Sequence, residues 1–102
     1  MSEWFDFATV ESLLPSQHLV KVINGRPVAL FNLDGEYYAI EDSCTHQGLP
    51  LSDGPINGDE ITCPYHGAKF CIKTGEVTCP PAFEDLPVFE VRTVEGMVQV
   101  RV

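Results

Sequence analysis

Two short segments of this 102-residue chain bring together the residue types that most readily bind metal ions. The first is Cys44-x-His46, and the second, after sixteen intervening residues, is Cys63-x-x-His66. Each segment therefore supplies one thiolate and one imidazole, whereas zinc fingers usually group two cysteines and two histidines separately. This division suits a [2Fe–2S] cluster in which one iron takes both cysteines and the other takes both histidines. The spacing predicts that Cys44, His46, Cys63 and His66 hold one such cluster.

Other chemistry is open to the same residue types. A Cys2His2 zinc site would use the same four ligands, which would make the chain a zinc-binding interaction module. Cys71 and Cys79 are interpreted as small packing residues, with a redox pair as the alternative. An oxygenase iron site of two histidines and a carboxylate needs two further histidines, and only His18 remains. The remaining residues therefore do not supply a second iron site of this kind.

The motif of these four ligands, with Gly67 directly after His66, resembles that of the Rieske [2Fe–2S] proteins. The resemblance covers most of the chain and is strongest to small soluble Rieske-type ferredoxins that serve bacterial oxygenases, including aromatic-ring-hydroxylating dioxygenases. It implies that Cys44 and Cys63 hold the inner iron, and that His46 and His66 hold the solvent-facing iron. It also implies that residues 78–82 form the proline-containing loop that covers the cluster.

Four positions differ from the Rieske proteins of respiratory cytochrome bc complexes. Those proteins carry an extra cysteine in each ligand loop, where this chain has Leu49 and Tyr65. They also carry a serine and a tyrosine whose hydroxyls donate to sulfur atoms, where this chain has Ala68 and Phe70. Because hydrogen bonds to the sulfurs raise the potential, their absence favours the low-potential branch.

The resemblance, together with the lack of a second iron site, implies a one-electron carrier and not an enzyme. A flavin-containing, NAD(P)H-dependent reductase would deliver the electron, and a terminal oxygenase would receive it at the His46 and His66 edge. We expect the carrier to be a monomer. The alternative within iron–sulfur proteins is a regulatory or assembly-linked role.

Fifteen acidic residues against six basic ones give a net charge of −9, which disfavours nucleic acid as a partner because binding phosphates needs a basic surface. An acidic surface near the cluster would instead dock on basic patches of protein partners. The candidates are Glu41, Asp42, Asp53, Glu84 and Asp85. No apolar run is long enough to span a membrane, and acids stand near the N-terminus where a secretory signal would be basic. The expected compartment is the cytoplasm.

The turn signals, spaced eight to twelve residues apart, predict an all-β fold of stacked antiparallel sheets and hairpins with a cluster-binding loop subdomain. We expect a single domain over residues 1–102, with the cluster-binding part at about 42–82. The turns Asn24-Gly25, Asp34-Gly35 and Glu95-Gly96 each separate two predicted strands. One short helical turn is predicted at residues 10–14, with Thr9 as its N-cap. The other predicted strands lie at residues 60–63, 68–72 and 75–78.

Overall fold

The computed structural model describes residues 3–43, 50–65, 67–80 and 84–102. The all-β prediction is confirmed, and no helix in these ranges is long and apolar enough to cross a membrane. The strands are β1 (Trp4–Thr9), β2 (His18–Ile23), β3 (Arg26–Leu33), β4 (Glu36–Glu41), β5 (Ile56–Asn57), β6 (Glu60–Thr62), β7 (Lys69–Cys71), β8 (Val77–Cys79), β9 (Val88–Val94) and β10 (Met97–Arg101).

The strands form two antiparallel sheets. The larger has six strands in the order β1-β10-β9-β4-β3-β2, and the smaller has four in the order β5-β6-β7-β8. The three predicted two-residue turns are confirmed. In each, both central residues have positive φ, for example 53° at Asn24 and 75° at Gly25, which matches the twist of the flanking strands. The smaller sheet is inserted in the chain between β4 and β9, and Cys63 directly follows its strand β6.

A run of four apolar residues in β3 explains how the two sheets share a core. Successive side chains of a strand point to opposite faces, so Val28 and Leu30 enter one apolar cluster while Ala29 and Phe31 enter another. The first cluster lies inside the curved larger sheet, with residues of β1 and β10. The second lies between the sheets and contains Ile61 and Phe70 of the smaller one. β3 is therefore buried on both faces and joins the scaffold to the ligand-bearing sheet.

One local expectation needs correction, and two strands were not predicted. The helical turn at residues 10–14 is wrong: the amide of Ser12 donates to the Thr9 hydroxyl at 3.2 Å, as a cap would, but the turn does not continue. The leucines and the proline that follow leave too short a segment to nucleate a helix. Strands β1 and β5 were not predicted. β1 mixes acids with aromatic residues, and β5 has only two residues.

Candidate metal centre

Cys63 is the predicted ligand that lies within the described residues. It directly follows β6, is 1% exposed and belongs to the apolar cluster between the sheets. Its amide donates to the Ala68 carbonyl at 2.7 Å, and the Gly67 amide donates back to the Cys63 carbonyl at 3.1 Å. These bonds close a tight turn between β6 and β7, and Gly67 takes a φ of 75° that favours glycine. The turn leaves Tyr65 58% exposed while the Cys63 side chain is buried.

The other predicted ligands, Cys44, His46 and His66, lie outside the described residues. The structure does describe both ends of the loop that carries the first two. Asp42 follows β4 at one end of this loop, and Leu51 and Ser52 stand at the other. These three residues determine where the first ligand segment leaves the scaffold and where it returns.

The Asp42 side chain joins the two ends of that loop. Its Oδ1 accepts hydrogen bonds from the amides of Leu51 and Ser52, both at 2.7 Å, and its Oδ2 accepts one from the Ser52 hydroxyl at 2.9 Å. The Asp42 amide in turn donates to the Pro27 carbonyl at 2.8 Å, which fixes the residue to β3. We call this set of bonds the Asp42 clasp.

The clasp corrects one expectation. Asp42 was predicted to belong to an acidic docking surface, but it is only 5% exposed and its bonds point into the protein. A buried carboxylate must be satisfied by donors, and two adjacent amides with a hydroxyl provide them. The available signal was an aspartate at the start of a loop, because its side chain commonly binds backbone amides.

A close backbone approach brings the end of the first ligand loop to the second. The Gly54 amide donates to the Leu51 carbonyl at 2.8 Å, and a Cβ on Gly54 would lie 1.9 Å from the Thr62 carbonyl oxygen. Only glycine allows this contact. Since Thr62 precedes Cys63, the contact holds the clasp next to the residue that begins the second ligand turn.

The surroundings of Cys63 are apolar. Ala68 and Phe70 are both fully buried in the same apolar core cluster as Cys63. The Rieske proteins of the high-potential branch carry hydroxyls at these two positions. Neither side chain has a donor. The protein therefore surrounds this thiol with hydrocarbon on the β7 side.

The covering-loop prediction falls partly outside the described residues, which omit 81–83. The segments on either side are held together: Val77 donates its amide to Asp85 Oδ1 at 2.9 Å, and Leu86 donates its amide to the Gly75 carbonyl at 2.7 Å. Cys71 and Cys79 lie on β7 and β8, and both are free thiols of intermediate exposure. Both are therefore partly exposed, and their interpretation as packing residues stays a prediction.

Basic and acidic side chains differ in how many have partners within the chain. Each of the six basic side chains contacts another group of the chain. Of the predicted docking acids, Glu41 pairs with Arg26 at 2.9 Å, whereas Asp53 is exposed one residue beyond the clasp. With nine more acids than bases, the surface is dominated by negative charge.

The buried Cys63, the closed second turn and the clasped first loop suit the two-cysteine, two-histidine donor set of a Rieske cluster. The chain matches the Rieske [2Fe-2S] domain family over residues 3–90. It belongs to that family. It carries one [2Fe–2S] cluster, and it is a Rieske ferredoxin, an electron carrier and not a catalyst.

Similar proteins are named as ferredoxin components of dioxygenase systems. The chain is 40% identical over 89 residues to the biphenyl dioxygenase ferredoxin subunit of Pseudomonas sp. (strain KKS102), covering 86% of this chain and 81% of that protein. It is 37% identical over 95 residues to the ferredoxin component of the naphthalene 1,2-dioxygenase/salicylate 5-hydroxylase systems of Ralstonia sp, covering 92% and 89%.

Solved structures agree. One is a complex of reduced oxygenase and oxidized ferredoxin in carbazole 1,9a-dioxygenase, matched with a TM-score of 0.89 and 35% identity over 95% of this chain and 91% of that chain. The terminal oxygenase of carbazole 1,9a-dioxygenase from Nocardioides aromaticivorans IC177 matches with a TM-score of 0.82 and 27% identity, but only over 29% of its own length. These comparisons support the electron-carrier interpretation over the zinc module and the regulatory role.

Proposed function

We propose that Cys44, His46, Cys63 and His66 are the cluster ligands. The burial of Cys63 beside a closed turn supports this assignment, as does the clasp that holds the ends of the Cys44 and His46 loop. When bound, the cluster supplies one-electron chemistry. The chain's own residues hold the two ligand loops together and exclude water from the Cys63 side.

We further propose that the ferredoxin receives electrons from a flavin-containing, NAD(P)H-dependent reductase and delivers them to the terminal oxygenase of an aromatic-ring dioxygenase. The observation that carries this proposal is the 35% identity and near-complete overlap with the ferredoxin in a complex with its oxygenase. Two relatives whose names place them in dioxygenase systems support the same substrate class for the partner.

Docking would use the end of the molecule that bears the ligand loops. Tyr65, exposed next to His66, supplies an aromatic surface there, and the surplus of acids supplies a negative field. Acidic groups would orient the carrier on basic patches of both partners, and apolar contact at Tyr65 would then hold the complex briefly. We expect Asp53 to contribute to this field and Asp42 not to, because Asp42 is buried.

The ligand assignment is tested by substitution with matched controls. His66→Ala and Cys63→Ser should each abolish the visible absorption of the purified protein and its Rieske-type EPR signal after reduction. His18→Ala and Cys71→Ser, which remove the same kinds of side chain from β2 and β7, should keep both signals. A colourless wild-type protein with one zinc per chain would overturn the assignment.

The functional assignment is tested by reconstitution. The ferredoxin is added to the purified reductase and terminal oxygenase of a biphenyl dioxygenase system that lacks its own ferredoxin. We expect NADH-dependent oxidation of biphenyl that requires the wild-type chain and is lost with His66→Ala. Reduction of the ferredoxin without any product, with oxygenases for several aromatic substrates, would favour the regulatory alternative.

A further inference from the structure

We propose that Asp42 is a positioning residue that sets the reduction potential of the cluster, by closing the first ligand loop and by placing a buried negative charge beside it. This inference rests on the proposed function, since it requires that the cluster be held by the ligand loops.

The first step is the geometry of the clasp. One carboxylate accepts three hydrogen bonds from two consecutive residues, so its rotation and its position are both fixed. Its own amide is bound to Pro27 on β3. Asp42 and the residue pair Leu51 and Ser52, which flank the first ligand segment, therefore cannot separate without breaking several bonds at once. The clasp thus limits the conformations open to the loop that carries Cys44 and His46.

The second step is the position of the charge. Leu51, which donates its amide to Asp42, is fully buried in the same apolar cluster as Cys63. The carboxylate therefore adjoins the layer that contains a cluster ligand, and it is 5% exposed. Water and salt screen a charge in such a place poorly, so its field reaches neighbouring groups with little loss.

The third step is the direction of the effect. Two ferric ions, two sulfides, two thiolates and two neutral imidazoles sum to zero, and the reduced cluster carries one negative charge. A fixed negative charge nearby opposes the added electron, so Asp42 lowers the potential. The hydrocarbon of Ala68 and Phe70 acts in the same direction, because it offers the reduced cluster no donor.

A purely structural clasp would not need the charge. An asparagine at this position keeps an oxygen for the two amides, and the Ser52 hydroxyl can turn to accept from its side-chain amide. The shape of the clasp and the charge of the clasp can therefore be separated by substitution.

The experiment measures the midpoint potential by voltammetry, together with iron content and the EPR spectrum, in the holoprotein of four variants. Asp42→Asn removes the charge and keeps the shape. Asp53→Asn removes the same charge in solvent, one residue beyond the clasp, and is the matched control. Ser52→Ala keeps the charge and removes a donor that offsets it. Asp42→Ala removes both charge and shape.

For Asp42→Asn we expect the equilibrium constant for reduction to rise about tenfold, which is about 59 mV for one electron, with an unchanged EPR spectrum. For Asp53→Asn the change should stay below about twofold, because solvent screens its charge. Ser52→Ala should shift the potential in the opposite direction and lower the equilibrium constant for reduction by about twofold. Asp42→Ala should bind less iron, since the loop is no longer closed.

Opposite shifts in Asp42→Asn and Ser52→Ala support the proposal, because general loosening of the site would move both potentials in one direction. If the equilibrium constants for reduction of Asp42→Asn and Asp53→Asn differ by less than twofold, the proposal is overturned. If Asp42→Asn binds no cluster, Ser52→Ala decides: an unchanged or raised potential overturns the proposal. A wild-type protein without a Rieske EPR signal would instead refute the proposed function, before any variant is compared.

Discussion

The Lys21 ammonium on β2 donates a 2.5 Å hydrogen bond to the carbonyl of Phe7 on β1. β1 and β2 are the two edges of the six-stranded sheet, so this bond joins edges that are not paired through their backbones. The carbonyl is available because β1 bulges at Phe7, between the pairs of Asp6 and Ala8 with β10. The ammonium also lies 5.3 Å from the centroid of the Phe7 ring. One side chain thus closes the curved sheet around its inner core.

Lys21→Met should destabilise the protein. It leaves the partly buried Phe7 carbonyl without its charged donor, and we expect the free energy of unfolding to fall by about 1.5–2 kcal/mol. The control is Lys69→Met, which removes a 3.9 Å ion pair between half-exposed side chains and should cost less than about 0.5 kcal/mol. Denaturant unfolding of both variants decides the matter, and equal losses would contradict a specific role for Lys21.

Gly54→Ala should disrupt the contact between the clasp and the second ligand turn. Its Cβ would lie 1.9 Å from the Thr62 carbonyl oxygen, so the backbone must move, and we expect a loss of about 3 kcal/mol or more with reduced iron content. Gly58→Ala is the control: its φ of 67° costs about 1 kcal/mol, but nothing lies within 4 Å of the added carbon. Similar losses in the two variants would count against the close approach.

The fold was predictable wherever short-range rules govern it. Asn24-Gly25 and Glu95-Gly96 require positive φ at both positions, so the turn residues alone specify those hairpins. β5 escaped prediction because a strand of two residues has no periodicity, although it pairs with β6 across a two-residue turn. The close approach of Gly54 to Thr62 is a tertiary contact that no local pattern reveals.

The sequence predicts the ligands of the site but does not indicate what surrounds them. The segment from Cys63 to Gly67 indicates a metal-ligand motif by its own residues, without reference to the rest of the chain. The role of Asp42 depends on Leu51 and Ser52, which become its neighbours only after the loop has closed. A charge that looks like docking surface in the sequence is therefore an internal hydrogen-bond acceptor in the fold.

The pKa of the Tyr38 phenol is raised above its ordinary value of 10.0, chiefly by the hydrogen bond it donates to Glu36, then by desolvation and by the charges of Glu36 and Asp59. Because the folded protein holds this proton more tightly, the associated stability is complete below pH 10 and is lost as pH rises through the raised pKa. Glu36→Ala should return the pKa toward 10, as measured by NMR of the labelled tyrosine ring. Asp34→Asn, in the same turn, should change it much less, and equal shifts would contradict the assigned cause.

Phe70→Tyr should raise the midpoint potential. Phe70 is fully buried in the same apolar core cluster as Cys63. An added hydroxyl there would supply the donor found in high-potential relatives. A shift of tens of millivolts upward is expected, where about 59 mV is a tenfold change in the equilibrium constant. Phe89→Tyr adds the same hydroxyl on the larger sheet and should leave the potential unchanged. A folded Phe70→Tyr protein with an unchanged or lower potential would refute this explanation.

Electron transfer to the oxygenase should slow as salt rises, because the carrier has a net charge of −9 and its partners would bind it through basic patches. Between about 0.05 M and about 0.5 M NaCl the screening length shortens from more than 10 Å to less than 8 Å, and we expect the second-order rate constant to fall several-fold. Asp53→Asn should lower the rate at low salt by about twofold and flatten the salt dependence. Glu95→Gln removes the same charge from the turn between β9 and β10, at the opposite end of β9 from Val88. It should leave the rate unchanged. Stopped-flow kinetics with the reduced ferredoxin measures these rates. Rates that ignore salt would indicate that docking is governed by apolar contact at Tyr65 and not by the acidic surface.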